Sequence, residues 1–109
     1  LEINKEKMEG ALDFLAASDV DYARAKTLFD GLTLQRKTIK ANCFIRCGEG
    51  SAAAKEQTAY QMPDYIMHLQ KIETAHLEYL TLQARRNTAE IIIDCWRSVN
   101  AARNKGQVI

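Results

Sequence analysis

The sequence has little that breaks helices. One proline and five glycines occur in 109 residues, and these two residue types are the main interruptions of helical structure. Two-residue hairpin signals are nearly as scarce: Asp30-Gly31 is present, but its flanks recur at helical rather than alternating spacing. Long apolar runs are missing. Ile91-Ile92-Ile93 is among the longest, far below the ~20 residues that a membrane span requires. A surplus of one charge is also missing, since the formal net charge is +1. A uniformly basic surface for nucleic acid is thereby excluded. Apolar residues make up 47% and charged residues 27%, a balance that excludes a disordered chain.

What is present is helical periodicity. Met8, Ala11, Leu12 and Leu15 form one stripe of a first helix, expected over about 4–17. Ser18 followed by Asp21 reads as a capping-box variant that starts a second helix, over about 19–47. Val20, Ala23, Leu28, Leu32, Ile39, Cys43 and Cys47 are expected on its apolar side, and Gly31 within it marks a bend or a close contact. Gly48-Glu49-Gly50 ends that helix, and Ser51 caps the next, over 51–62. Pro63 either kinks a continuous helix or opens a new one. The last helix is expected over 63–104, about 60 Å at 1.5 Å per residue.

The fold class expected is all-α. A single helical domain holds a long antiparallel hairpin with a short N-terminal helix. If the hairpin turns near Glu49, the second helix covers roughly 51–79 and the segment 80–104 overhangs. That overhang carries Leu82, Ile92, Ile93, Trp96 and Val99, which are costly to expose. The first helix can cover part of it by folding back, and for the rest the expectation is a homo-oligomer joined through this helix, with Ile92, Ile93, Trp96 and Val99 at the interface.

Charge lies in blocks. Residues 1–34 and 56–81 are acidic. Residues 35–55 carry Arg36, Lys37, Lys40, Arg46 and Lys55 against Glu49, and residues 82–109 carry Arg85, Arg86, Arg97, Arg103 and Lys105 against Glu90 and Asp94. The first basic block can serve as a phosphate-binding surface, with Tyr60 or Phe44 for base stacking. It can equally be a solvated face, or form ion pairs between subunits.

Motifs for catalysis are lacking. There is no glycine-rich phosphate loop, no H-E-x-x-H and no G-x-S-x-G. His68 and His76 stand eight apart, outside the spacing of a helical metal pair. Cys43, Cys47 and Cys95 read as small buried thiols rather than zinc ligands. No metal, no cofactor and no enzymatic activity are expected. The first residues, Leu1 to Lys7, contain no apolar leader segment, and three cysteines without one suit a cytoplasmic location. Trp96 reads as a core or interface anchor, or as a stacking platform beside Arg97.

The order Ala25-Lys26, Arg36-Lys37, Lys40-Ala41, a glycine turn, Ala59-Tyr60 and a long helix ending in Cys95-Trp96-Arg97-Ser98 resembles the phage recombination-mediator family, the UvsY-like small helical proteins. The resemblance spans about 23–106 and is one of charge and helix layout. It implies a phage-type recombination accessory that oligomerises, binds single-stranded DNA and assists a recombinase or annealing protein in the host cell cytoplasm. The implied partners are that single-stranded DNA and a phage or host recombinase or single-strand-binding protein, with no membrane. Arg36, Lys37, Lys40 and Arg46 then map to the DNA-binding region, and Lys55, Arg85 and Arg86 of the basic blocks are further candidate DNA-binding residues. The alternative is a helical adaptor or inhibitor that binds a host protein and no nucleic acid. A third possibility is a structural subunit of a virion.

Overall fold

A computed structural model describes residues 2–107. Three helices account for nearly all of them: α1 (Lys5–Arg46), α2 (Ala52–Gln61) and α3 (Pro63–Gln107). Among the described residues there is no strand, and the all-α expectation holds. Among the described residues no helix is long and apolar enough to cross a membrane.

Local chemistry explains the helix ends. The Asn4 side chain accepts from the Lys7 amide at 2.8 Å and so caps α1. Arg46 is its last helical residue, and Gly48 follows with φ +74°, a left-handed conformation that suits glycine. Ser51 Oγ accepts from the Ala54 amide at 3.1 Å and caps α2, as expected. Pro63 opens α3 in its first turn. Its missing N–H costs nothing there, and the Met62 carbonyl accepts from the Ile66 amide at 3.0 Å.

The expected break at Ser18 does not occur. α1 runs unbroken through it, so the short N-terminal helix is the first part of a 42-residue helix. Ser18 is buried, and its hydroxyl bonds to the Leu15 carbonyl and accepts from Arg86 instead of capping a helix.

The chain divides into two compact units, one within residues 2–23 and 80–107, the other Arg24–Tyr79. In the first unit α1 and α3 run antiparallel. Asn4, Met8, Ala11, Leu15, Ser18 and Tyr22 alternate at four and three residues and are buried or half-buried. Leu82, Arg86, Ala89, Ile93, Trp96 and Asn100 do the same on α3. Alternating three- and four-residue steps are the 3.5-residue seam of a coiled coil. Ala11, Ala89 and Ile93 form its core, with Met8, Phe14, Leu15 and Ile92 against them. The expected overhang is therefore absent: the start of α1 covers this part of α3, because it continues the longer helix rather than folding back as a separate one.

The second unit holds the rest of α1 and α3 with α2 between them in sequence. Its seam is Ala25, Phe29 and Leu32 on α1 and Tyr65, His68, Ile72, Ala75 and Tyr79 on α3, again antiparallel. Phe29 stacks on His76 with ring centroids 4.4 Å apart. Beside α2, Cys43, Ala59 and Tyr65 form a core, with Ile39, Phe44, Cys47 and Met62 around it. Val20 and Leu28, expected on the apolar side, are 59% and 52% exposed. They stand off the seam that the unbroken helix sets. Gly31 has open space where a side chain would be, so no close contact within the chain requires it.

Candidate nucleic-acid interface

The basic stretch of α1 lies in the second unit. Arg36 and Lys37 are exposed, and among the described residues neither forms an ion pair. One turn beyond Arg36 stands Lys40, whose ammonium reaches to α2. It donates to Tyr60 Oη at 2.6 Å and to Glu56 Oε1 at 3.0 Å, and it lies 4.4 Å from the Tyr60 ring centroid. The hydrogen bonds to Tyr60 and Glu56 raise the Lys40 pKa above its ordinary 10.5. The bond from Lys40 holds the Glu56 carboxyl below its ordinary 4.5. An ammonium has three donors, so Lys40 retains one for another acceptor.

Arg46, at the end of α1, donates to Asp64 Oδ2 at 2.8 Å and to Cys43 Sγ at 3.4 Å. The Asp64 hydrogen bond, then that to Cys43, raise its pKa further. Both members of the Arg46–Asp64 pair are more than half exposed, so the pair is a weak tie that a stronger anion can displace. Lys55 on α2 lies 5.7 Å from the Phe44 ring centroid. The two aromatic rings considered for base stacking are thus already in contact with cations: Tyr60 with Lys40, half-buried Phe44 with Lys55. Tyr60 also meets Tyr65 edge-on at 5.5 Å and remains 42% exposed.

Arg85 and Arg86 belong to the first unit and part company there. Consecutive helical residues point about 100° apart. Arg85 is exposed beside an apolar groove with Ala11, Phe14, Ala89 and Ile92. Arg86 occupies the seam. It donates to the Leu15 carbonyl at 2.9 Å, to Ser18 Oγ at 2.8 Å and to Asp19 Oδ1 at 2.7 Å, with its guanidinium 5.1 Å from the Tyr22 ring centroid. These contacts hold the guanidinium inside the unit.

The residues expected at a subunit interface divide similarly. Ile93 is buried within the first unit, and Ile92 and Trp96 are half-buried. Val99 is 37% exposed. Of the cysteines, Cys43 is buried, Cys47 half-buried and Cys95 exposed, so the expectation of buried thiols fails at Cys95. His68 is buried and its Nε2 donates to the Leu32 carbonyl at 2.7 Å. Among the described residues no cluster of histidine, cysteine or carboxylate side chains could hold a metal ion.

No family model, curated protein or solved structure matches this chain.

Proposed function

We propose that the chain is a phage-type accessory of DNA recombination, which self-associates, binds single-stranded DNA and assists a recombinase or annealing protein. The observation that carries this reading is the exposure of Arg36 and Lys37, without ion partners among the described residues, beside Lys40 with its free donor. Cations of that kind neutralise phosphates and release counterions, which supplies the sequence-independent part of binding. Few contacts per chain give weak affinity, and self-association repeats them at high effective concentration. The role has no catalytic step: the protein holds the strand and another protein acts on it. It places the chain in the host cell cytoplasm.

Arg46 and Lys55 are further cations of the same unit, Arg46 paired with Asp64 and Lys55 beside the Phe44 ring, and Arg85 is an exposed cation of the other unit. Arg86 belongs to the scaffold. A fluorescein-labelled single-stranded oligonucleotide tests the reading by anisotropy in low salt. Binding that falls when Arg36, Lys37 and Lys40 become Ala supports it. Absence of binding by the assembled protein in low salt contradicts it.

A second reading is a helical adaptor that binds a host protein and no nucleic acid. It is favoured by a separate observation: Lys40, Arg46 and Arg86 each have a carboxylate partner inside the chain. Charge used in this way gives a patterned surface suited to partner choice.

A further inference from the structure

The second unit carries an open apolar groove on one side of its α1–α3 pair. Leu28 and Leu32 line it from α1, and Met67, Lys71, Thr74 and Glu78 from α3, about 440 Å³ in volume. Leu28 and Met67 are 52% and 54% exposed. By contrast, five of the eight buried apolar residues among the described ones are alanines, and the largest fully buried side chain is Cys43. Burying alanine removes little apolar area from water, so covering the larger side chains at this groove adds burial that the chain's own core lacks.

The charges on the groove say what covers it. Lys71 and Glu78 are its only charged lining residues, seven apart on α3, with Thr74 between them. Among the described residues neither forms an ion pair. Two turns of helix separate them by about 10 Å. A second α3 laid antiparallel across the first, with a two-fold axis near Thr74, sets Lys71 of each copy against Glu78 of the other. A two-fold interface requires a surface complementary to itself, and one base and one acid placed symmetrically about a neutral centre satisfy that requirement. Gly31 lies one turn from Leu28, with open space where a side chain would stand. A glycine inside a helix costs about 1 kcal/mol relative to alanine, and packing within the chain gives no reason for this one. A helix approaching from outside does.

We infer that the groove of Leu28, Met67, Lys71, Thr74 and Glu78 binds a second copy of this chain through antiparallel α3 helices, forming a two-fold four-helix assembly. The inference rests on the self-association in the reading above and moves its interface away from Ile93.

Sedimentation velocity over a concentration series in low salt tests it on the full chain, with circular dichroism confirming helicity. The wild type sediments as a dimer or a higher even-numbered oligomer. Lys71→Glu or Glu78→Lys alone turns two attractions into two repulsions and raises the dissociation constant about tenfold or more. The doubly swapped variant restores both pairs and brings the constant back towards the wild-type value. Met67→Glu, at an exposed position, weakens association while helicity stays unchanged. Two results overturn the inference: an oligomer indifferent to the single reversals, or a double swap no stronger than either single variant. If that oligomer still binds single-stranded DNA, only the interface is wrong. A wild type that is monomeric at all concentrations removes the self-association as well.

Discussion

Arg86 donates to Ser18 Oγ at 2.8 Å and to Asp19 Oδ1 at 2.7 Å, joining α3 to α1 in the middle of a coiled-coil seam. A polar side chain at such a position disfavours other registers, because shifting the helices leaves the guanidinium buried and unpaired. Here the side chain is 16% exposed while Asp19 is 64% exposed, so the carboxylate contact is the weaker part. The bonds to the Leu15 carbonyl and to Ser18 are the better protected ones. Arg86→Ala is expected to destabilise the protein by about 1–3 kcal/mol in urea unfolding. Arg86→Met, which keeps the apolar stem, is expected to cost less. Equal stability of Arg86→Ala and the wild type would show that the contacts contribute nothing net.

The Lys40–Glu56 pair sets a pH dependence on both sides of neutrality. Glu56 titrates below its ordinary 4.5 in the folded protein, so its contribution is present above about that pH and is lost as pH falls through the lowered value. Lys40 titrates above its ordinary 10.5, so its contribution is full below that pH and is lost as pH rises through the raised value. Both groups face solvent, and salt should weaken the effect. Thermal unfolding of Glu56→Gln beside the wild type checks this. The difference between them is expected to be largest between the ordinary values of 4.5 and 10.5 and to shrink as pH falls through the lowered Glu56 value. A difference independent of pH would point to packing instead of charge.

The tip core of the second unit is expected to be intolerant of added volume. Ala59 and Cys43 are both 0% exposed. Ala59→Leu should cost about 1–3 kcal/mol through overpacking, measured by thermal or urea unfolding. An unchanged midpoint would mean that α2 moves away freely.

Thiol reactivity should follow exposure. In native conditions an aromatic disulfide reagent is expected to modify Cys95 first and Cys47 more slowly, because the Cys47 thiol lies 3.1 Å from the Cys43 carbonyl. Cys43 is expected to react only on unfolding. Peptide mapping of the labelled protein checks the order, and rapid native labelling of Cys43 would contradict the tip packing.

The features legible in the sequence were those set by near neighbours. Asn4, Gly48, Ser51 and Pro63 act on residues within a turn of themselves, and reading them one by one locates most helix ends. Ser18 misled for the same reason. Its spacing to Asp21 has the local form of a cap, while the partner that keeps it inside a continuous helix is Arg86, 68 positions away. A signal was present in the seven-residue recurrence of Ala11, Ser18 and Ala25, which a helix broken at Ser18 obscures. The same count along α3, from Tyr65 through Ile72 and Tyr79, arrives at Arg86 and separates it from exposed Arg85. In the basic stretch, Arg36 and Lys37 are exposed as a surface reading requires. The pairing of Lys40 with Glu56 and of Arg46 with Asp64 depends on the turn between α1 and α2, whose geometry composition does not reveal.

The most direct test of the proposed role is the salt dependence of single-stranded DNA binding. The logarithm of the binding constant, plotted against the logarithm of salt concentration, should fall linearly, with a slope of about −0.7 for each phosphate neutralised on a single strand. Arg36→Ala with Lys37→Ala should make the slope shallower by about one to one and a half, while Arg97→Ala, whose cation already lies 3.6 Å from Asp94, should leave it unchanged. A slope unaffected by the loss of Arg36 and Lys37, or no binding at low salt, would contradict it.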